Sequence, residues 1–261
     1  MQTKKSLGQN FLRDKRILKK IADFAQIEKG DTVVEVGPGE GTLTELLLER
    51  AAKVVAIEKD EHLAKLLEEK FIKKIGEKKL EVICADVLIY KLKTKNYKLV
   101  GNIPYYITGA LFKKFLQDQP LGSTQNKPKS MTFVVQKEVA ERIIAKDNKE
   151  SILSISIKAY GTPEYGGIIK AGSFYPKPKV DSAIIAVKNI NKENFKNVSE
   201  IRFFEILKAG FAHKRKLLAS NLEKIKEKEK VKEIFSKCDV PEKARAESLS
   251  VNNWICLAKL I

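Results

Sequence analysis

Glu35, Gly37, Gly39 and Gly41 stand together in the stretch EVGPGEG, between a β-branched run from Thr32 to Val36 and a helical run from Thr42 to Arg50. A strand that ends in clustered glycines and passes at once into a helix commits the chain to a β-turn-α unit, because glycine permits the tight turn and a close backbone approach to a ligand. The unit then repeats. Lys53 to Ile57 reads as a strand, Glu61 to Ile75 as a helix, and Leu80 to Cys84 and Tyr97 to Gly101 as strands. Gly109 to Gln117 reads as a helix, Met131 to Gln136 as a strand and Lys137 to Ala145 as a helix. Ahead of them, Ile17, Leu18, Ile21, Ala22 and Ala25 recur at helical spacing behind Asp14, a suitable cap. This alternation predicts an α/β fold with a mostly parallel sheet covered on both faces, and ligands at the carboxyl ends of the strands.

The pattern changes further along. Ile152 to Tyr160 suits a strand by its alternating Ile and Ser and a covering helix by its position, and Ile184 to Val187 reads as a late strand. Lys188 to Ser199 is polar and asparagine-rich, as in a linker. Beyond it the signal is only helical, over Phe203 to Phe211, Leu217 to Ile234 and Val251 to Leu260. The expected division is therefore a large domain over 1–190 and a small helical one over 200–261.

Fifty Lys and Arg against 33 Asp and Glu leave a formal charge of +17. Such an excess attracts polyanions and favours nucleic acid as partner, although the Glu and Lys alternation from Glu223 to Glu233 also suits an exposed helix. The polar amino terminus and the lack of a long apolar stretch point to the cytoplasm, with no membrane partner. Cys84, Cys238 and Cys256 have no metal-ligand spacing and are expected to be buried free thiols, so no metal is expected.

The glycines narrow the ligand. A dinucleotide fingerprint wants G-x-G-x-x-G, but Thr42 stands where its last glycine belongs and Gly41 comes one residue early. A nucleoside without a pyrophosphate needs the tight turn and less of the helix amino terminus. Glu58, ending the next strand, can accept hydrogen bonds from both hydroxyls of a ribose. Asp86, following the third strand, can accept from an adenine amino group. Either carboxylate alone reads as a surface charge; their succession behind EVGPGEG reads as a cofactor site.

NIPYYIT, beginning at Asn102 after the fourth strand, carries the chemistry. An adenine amino nitrogen is a poor nucleophile because its lone pair is delocalised into the ring. Acceptors on its hydrogens, the Asn102 side-chain carbonyl and a backbone carbonyl at Ile103 or Pro104, would favour a pyramidal nitrogen aimed at a methyl sulfonium. Proline brings no competing N–H. Catalysis would then rest on orientation and hydrogen bonding, with Tyr105 stacking on the extruded base.

These motifs, with SLGQNFL at Ser6 to Leu12, resemble the KsgA-type ribosomal RNA small subunit (adenine-N6,N6) dimethyltransferase family over nearly the whole chain. The resemblance implies a class I, Rossmann-like methyltransferase domain, a small helical RNA-binding domain and S-adenosylmethionine as methyl donor. It implies that SLGQNFL lies over the cofactor, and that the cofactor-binding residues are Asn10, Leu12, Glu35, Gly37, Gly39, Glu58, Asp86 and Asn102. Phe174 in SFYPKPKVDSAI, by its own context as suited to a core as to a platform, would sandwich the target base opposite Tyr105. The catalytic set is then Asn102, Pro104, Tyr105 and Phe174. FAHKRKLLASNL, from Phe211, resembles the family's basic helix, which makes His213, Lys214, Arg215 and Lys216 candidate phosphate contacts. RAESLS carries Ser248 where the family pattern has Asn.

The substrate so implied is a pair of adjacent adenosines near the 3′ end of small-subunit ribosomal RNA, each doubly methylated on an immature subunit. An Erm-type enzyme acting on large-subunit RNA and a non-catalytic assembly factor of the same fold are the competing readings. The RAESLS ending and the basic helix disfavour the first, and intact NIPYYIT disfavours the second.

Overall fold

The computed structural model describes residues 10–117 and 127–261, so Ser6 to Gln9 of SLGQNFL lie outside the described residues. The chain divides into two compact units. The first comprises Met1–Ala140 with Pro163–Ile190, and the second Glu141–Thr162 with Asn191–Ile261. The segment 141–162, counted with the large domain from sequence, thus groups with the carboxyl-terminal helices. Its helix α7 (Ile152–Lys158), opened by a reciprocal Ser151–Ser154 capping box, settles the ambiguous Ile/Ser alternation as helical.

The first unit holds a seven-stranded sheet of order β4-β3-β2-β5-β6-β9-β7. Its strands are β2 (Thr32–Val36), β3 (Lys53–Glu58), β4 (Leu80–Cys84), β5 (Tyr97–Asn102), β6 (Ser130–Gln136), β7 (Thr162–Ile169) and β9 (Ser182–Lys188). The pairs β2·β3, β2·β5, β3·β4 and β5·β6 are parallel and β6·β9 is antiparallel. β7 went unread in the sequence because Pro163, Gly166 and Gly167 spoil its pattern. As the last strand in the order it tolerates them, as edge strands do. The chain leaves β2 toward β3 on one side and returns to β5 on the other, so the crevice at their carboxyl ends is where such sheets take ligands.

Helix α1 (Lys15–Phe24) begins at Asp14, whose carboxylate accepts from the Arg16 N–H, and α2 (Thr42–Arg50) follows Gly41. The helix expected over Glu61 to Ile75 is two, α3 (Glu61–Lys70) and α4 (Ile72–Gly76), broken at buried Phe71. α5 (Thr108–Leu116) and α6 (Lys137–Ile144) complete the alternation. Leu12, Leu18, Ile21, Val33, Leu47 and Val134 are among the buried residues of its core. A two-residue strand β1 (Phe11–Leu12), also unread in the sequence, pairs with β8 (Phe174–Tyr175).

In the second unit, α8 (Glu200–Gly210) and α11 (Val251–Leu260) stand close to expectation. The continuous helix expected over Leu217 to Ile234 is instead α9 (Leu218–Leu222) and α10 (Lys228–Lys237). Leu222 and Val231 are nine positions apart and roughly half a turn out of phase at about 3.6 residues per turn. Both are buried, which one straight helix could not achieve against one core.

The cysteine expectation is also corrected. Cys238 and Cys256, 18 residues apart, are disulfide-bonded with Cα atoms 5.6 Å apart, and Cys84 is free but exposed. Three unspaced cysteines give no sign of this, because only the turn between α10 and α11 brings two of them together. Closing a loop of that length stabilises by about 3 kcal/mol through the unfolded chain. Thermal unfolding of Cys256→Ser, or of the reduced protein, is expected at a midpoint several degrees lower; equal midpoints would deny the bridge any such role. Among the described residues, no helix is long and apolar enough to cross a membrane and no group of three or more His, Cys, Asp or Glu could hold a metal.

Candidate cofactor and catalytic site

One cleft gathers most of the expected residues. It is lined by Asn10 and Leu12, by Glu35, Gly37 and Gly39, by Glu58 and Asp86, and by Asn102, Pro104 and Tyr105. The strand ends supply them in order, β2 leading into the glycine turn, β3 ending at Glu58, Asp86 following β4, and Asn102 ending β5.

The turn needs glycine at the positions that carry it. Gly37, Gly39 and Gly41 all take positive φ, and a Cβ on Gly39 would come within 2.9 Å of the Phe11 ring. A Cβ on Gly41 would lie 2.7 Å from Leu67 and Phe71. The floor of the cleft is therefore bare backbone, gripped from above by Phe11. Gly101 is as constrained without unusual φ, since its Cβ would stand 2.5 Å from the Val36 carbonyl oxygen. Only glycine lets β5 deliver Asn102 this close to the end of β2.

Glu58 closes the turn. Its Oε2 accepts from the Gly39 N–H at 3.1 Å and its Oε1 from the Asp60 N–H at 2.9 Å. Burial raises its carboxyl above the usual range, against the pull of those N–H groups. The Lys59 N–H bears on the same carboxylate, and the lone-pair capacity that these three backbone groups leave is open to a ligand hydroxyl.

Glu35 is 1% exposed and accepts from the Thr44 hydroxyl at 2.7 Å. Burial pushes its carboxyl from about 4.5 up to about 8, with nearby Glu58 adding to the rise. The folded protein thus holds this proton where the unfolded chain has lost it. Stability is then expected to fall as pH rises from about 4.5 toward 8, with a slope of up to about 1.4 kcal/mol per pH unit from this group. Urea unfolding across pH 5 to 8 should give Glu35→Gln a flatter profile than the wild type; parallel profiles would contradict the assignment.

Asp86 is not open as the sequence implies. The Lys59 ammonium donates to its Oδ2 at 2.8 Å and the Leu88 N–H to its Oδ1 at 2.8 Å, and the Lys59 contact holds its carboxyl below the usual range. Lys59 was missed because a lysine beside an acidic run reads as a solvated charge.

At Asn102 the side-chain amide Nδ2 donates to the Asn10 carbonyl at 2.8 Å. That bond directs the amide, leaving the side-chain carbonyl as the acceptor toward the cleft. Tyr105, which begins a short 3-10 turn after Pro104, shares a 2.6 Å hydrogen bond between its hydroxyl and that of buried Ser182. Its ring is thereby held by β9, a contact no local motif announces. The Thr42 hydroxyl donates to the Leu12 carbonyl at 3.0 Å, tying β1 to the start of α2.

Phe174 is not brought to this lining. It is 5% exposed and belongs to the core with Leu12 and Ile169, while Tyr175 beside it is 60% exposed. The structure thus favours the core alternative for Phe174. The remaining expected contacts lie in the second unit. Lys214, Arg215 and Lys216 are exposed in the connection between α8 and α9, so FAHKRK is a turn and not the start of a helix. Asn221, buried on α9, donates to the carbonyls of Gly210 at 2.7 Å and His213 at 3.2 Å, which ends α8 and shapes that turn. The His213 ring meets the Lys224 ammonium at 3.1 Å. The Ser248 hydroxyl donates to the Arg245 carbonyl at 2.8 Å and is exposed.

Comparison with known proteins gives the family. The family model for ribosomal RNA adenine dimethylase matches residues 1–261. A ribosomal RNA small subunit methyltransferase A from Dehalococcoides mccartyi is 39% identical over 98% of this chain and 88% of its own. The protein of the same name from Fusobacterium nucleatum is 39% identical over 98% and 97%. Among solved structures, a dimethyladenosine transferase from Plasmodium falciparum superposes with a TM-score of 0.81 at 27% identity, over 95% of both chains. The 23S rRNA methyltransferase ErmE gives 0.78 at 28% identity, over 96% of this chain and 99% of that one.

Proposed function

The chain belongs to the ribosomal RNA adenine dimethylase family and is an S-adenosylmethionine-dependent rRNA adenine dimethyltransferase, and on that premise we propose that it dimethylates two adjacent adenosines near the 3′ end of small-subunit ribosomal RNA. The observation that carries the chemistry is the Asn102 amide, whose nitrogen is bonded to the Asn10 carbonyl so that its oxygen is left for a target amino group. The small-subunit substrate rests on the relatives named as small-subunit methyltransferases at 39% identity.

The cleft suits an adenosine-bearing cofactor. Glu58 would accept from a ribose hydroxyl on the lone-pair capacity that the Gly39, Lys59 and Asp60 N–H groups leave, and the bare turn at Gly37 and Gly39 would admit the nucleoside closely. Asp86, ionised beside Lys59, accepts from the adenine amino group on its remaining lone pairs. Glu35, on the same lining, would offer its carboxyl oxygen as a hydrogen-bond acceptor to the methionine ammonium, and Asn10 and Leu12 line the cleft beside it. Bound S-adenosylmethionine supplies an electrophilic methyl on a sulfonium.

The rest falls to the chain's own groups. The Asn102 carbonyl oxygen and a backbone carbonyl at Ile103 or Pro104 accept the two amino hydrogens of the target adenine, which draws the nitrogen lone pair out of the ring. Tyr105, held by Ser182, stacks on the base and fixes its angle. No strong base is needed: as the N–C bond would form, the methyl C–S bond would break with its electron pair left on sulfur, and the amino proton, acidic only then, would pass to water. Lys214, Arg215 and Lys216 contact RNA phosphates from the helical unit, which serves as the RNA-binding domain. The setting is the immature small subunit in the cytoplasm.

The likeness to ErmE makes large-subunit RNA the specific alternative. With methyl-labelled S-adenosylmethionine, the full chain is expected to label undermethylated small subunits and to leave free large-subunit RNA unlabelled. Label confined to the large-subunit RNA would overturn the substrate assignment.

A further inference from the structure

β1 and β8 form a two-stranded antiparallel ribbon with Phe11 opposite Tyr175 and Leu12 opposite Phe174. Side chains alternate across a strand and paired residues share a face. Leu12 and Phe174 accordingly face the core, while Phe11 and Tyr175 share the other face. On that face Phe11 lies against Gly39 of the cofactor turn, and Tyr175 extends outward from Phe11 into solvent. Arg13 completes the arrangement. Its guanidinium forms a forked pair with the Glu40 carboxylate, at 2.9 and 2.6 Å, and sits 5.5 Å from the centre of the Tyr175 ring.

A large aromatic ring 60% exposed gains little from burial. Tyr175 keeps a fixed backbone through β8 and an ordered cation beside its ring, and Glu40 of the cofactor turn holds that cation. Lys177 and Lys179 are exposed on the same stretch of chain, where Lys170 is paired with Asp181 at 3.0 Å. An exposed ring among cations is the combination that single-stranded nucleic acids select, bases stacking on the aromatic while the cations meet phosphate.

We propose that Tyr175, braced by Arg13, is a stacking platform for a nucleobase of the substrate RNA outside the catalytic pocket, distinct from the base held at Asn102 and Tyr105. This rests on the proposed action on ribosomal RNA and adds a subsite to it. The ribbon that carries the platform also carries Phe11 over the cofactor turn, so one element serves both substrates of the reaction.

The test uses the full-length protein, undermethylated small subunits and steady-state methyl transfer. Tyr175→Ala is expected to raise the KM for the particle about ten-fold, as loss of one stacked base does. Its kcat and its Kd for S-adenosylmethionine should stay within two-fold of wild type. Tyr175→Phe and Tyr175→Trp, which keep a ring, should restore the KM. An unchanged KM in Tyr175→Ala, or a raised cofactor Kd in place of a raised KM, would overturn the platform. A wild-type protein that transfers no methyl to small subunits would overturn the parent reading, and the platform with it.

Discussion

Asn102→Ala is expected to lower kcat for methyl transfer by roughly 10²–10³-fold, the range seen when one preorganised hydrogen-bonding group is lost from a site where charge shifts in the transition state. The folded structure offers a reason to expect a loss this large from one neutral side chain. The Asn102 nitrogen is engaged by the Asn10 carbonyl at 2.8 Å, so its oxygen is fixed before substrate arrives and needs no reorganisation. Asn102→Asp should fail as well, although it keeps an acceptor. A carboxylate has no N–H for the Asn10 carbonyl, and the two oxygens would repel, swinging the group away from its aim. Single-turnover transfer on bound small subunits separates this from binding. A slow chemical step with cofactor affinity within several-fold of wild type is the expected pair of results. Near-normal turnover in either variant would remove Asn102 from the chemistry.

Glu58→Ala is expected to weaken S-adenosylmethionine binding about 10²-fold or more, while leaving kcat at saturating cofactor close to wild type. Two effects combine. The ribose loses a charged acceptor, with hydrogen bonds to charged groups worth about 1.5–3 kcal/mol each. The Gly39 and Asp60 N–H groups also lose the partner that shapes the turn. Neither effect touches the methyl-transfer geometry at Asn102, which is why the loss should fall on Kd. Isothermal titration with S-adenosylmethionine reads it directly. An affinity within two-fold of wild type would mean that Glu58 serves the turn alone.

Most of the first unit could be read from the chain, because its parallel strands are short apolar runs and its cofactor turn is written in glycines. EVGPGEG, Glu58, Asp86 and NIPYYIT are local signals, and each falls at a strand end where the sheet brings it to one cleft. What escaped the reading depends on partners far along the chain. Lys59 on Asp86, Asn10 on Asn102 and Ser182 on Tyr105 join residues 27, 92 and 77 positions apart, and no periodicity announces such pairs. The ribbon of β1 and β8 is two residues per strand, too short for any pattern. In the second unit the helices were legible but their breaks were not. Glu223 to Glu227 looks helical by propensity, and only the need to bury both Leu222 and Val231 forces the turn. The disulfide was hidden because only the folded chain brings Cys238 to Cys256, and the turn that displays Lys214, Arg215 and Lys216 because Asn221 shapes it from α9.

Nucleoside analysis of small-subunit RNA after reaction with S-adenosylmethionine tests the account most directly. Wild-type protein should convert two adjacent adenosines near the 3′ end to N6,N6-dimethyladenosine, and Asn102→Ala should leave both unmodified under the same conditions. Methyl groups found elsewhere in the RNA, or dimethyladenosine formed equally well by Asn102→Ala, would contradict it.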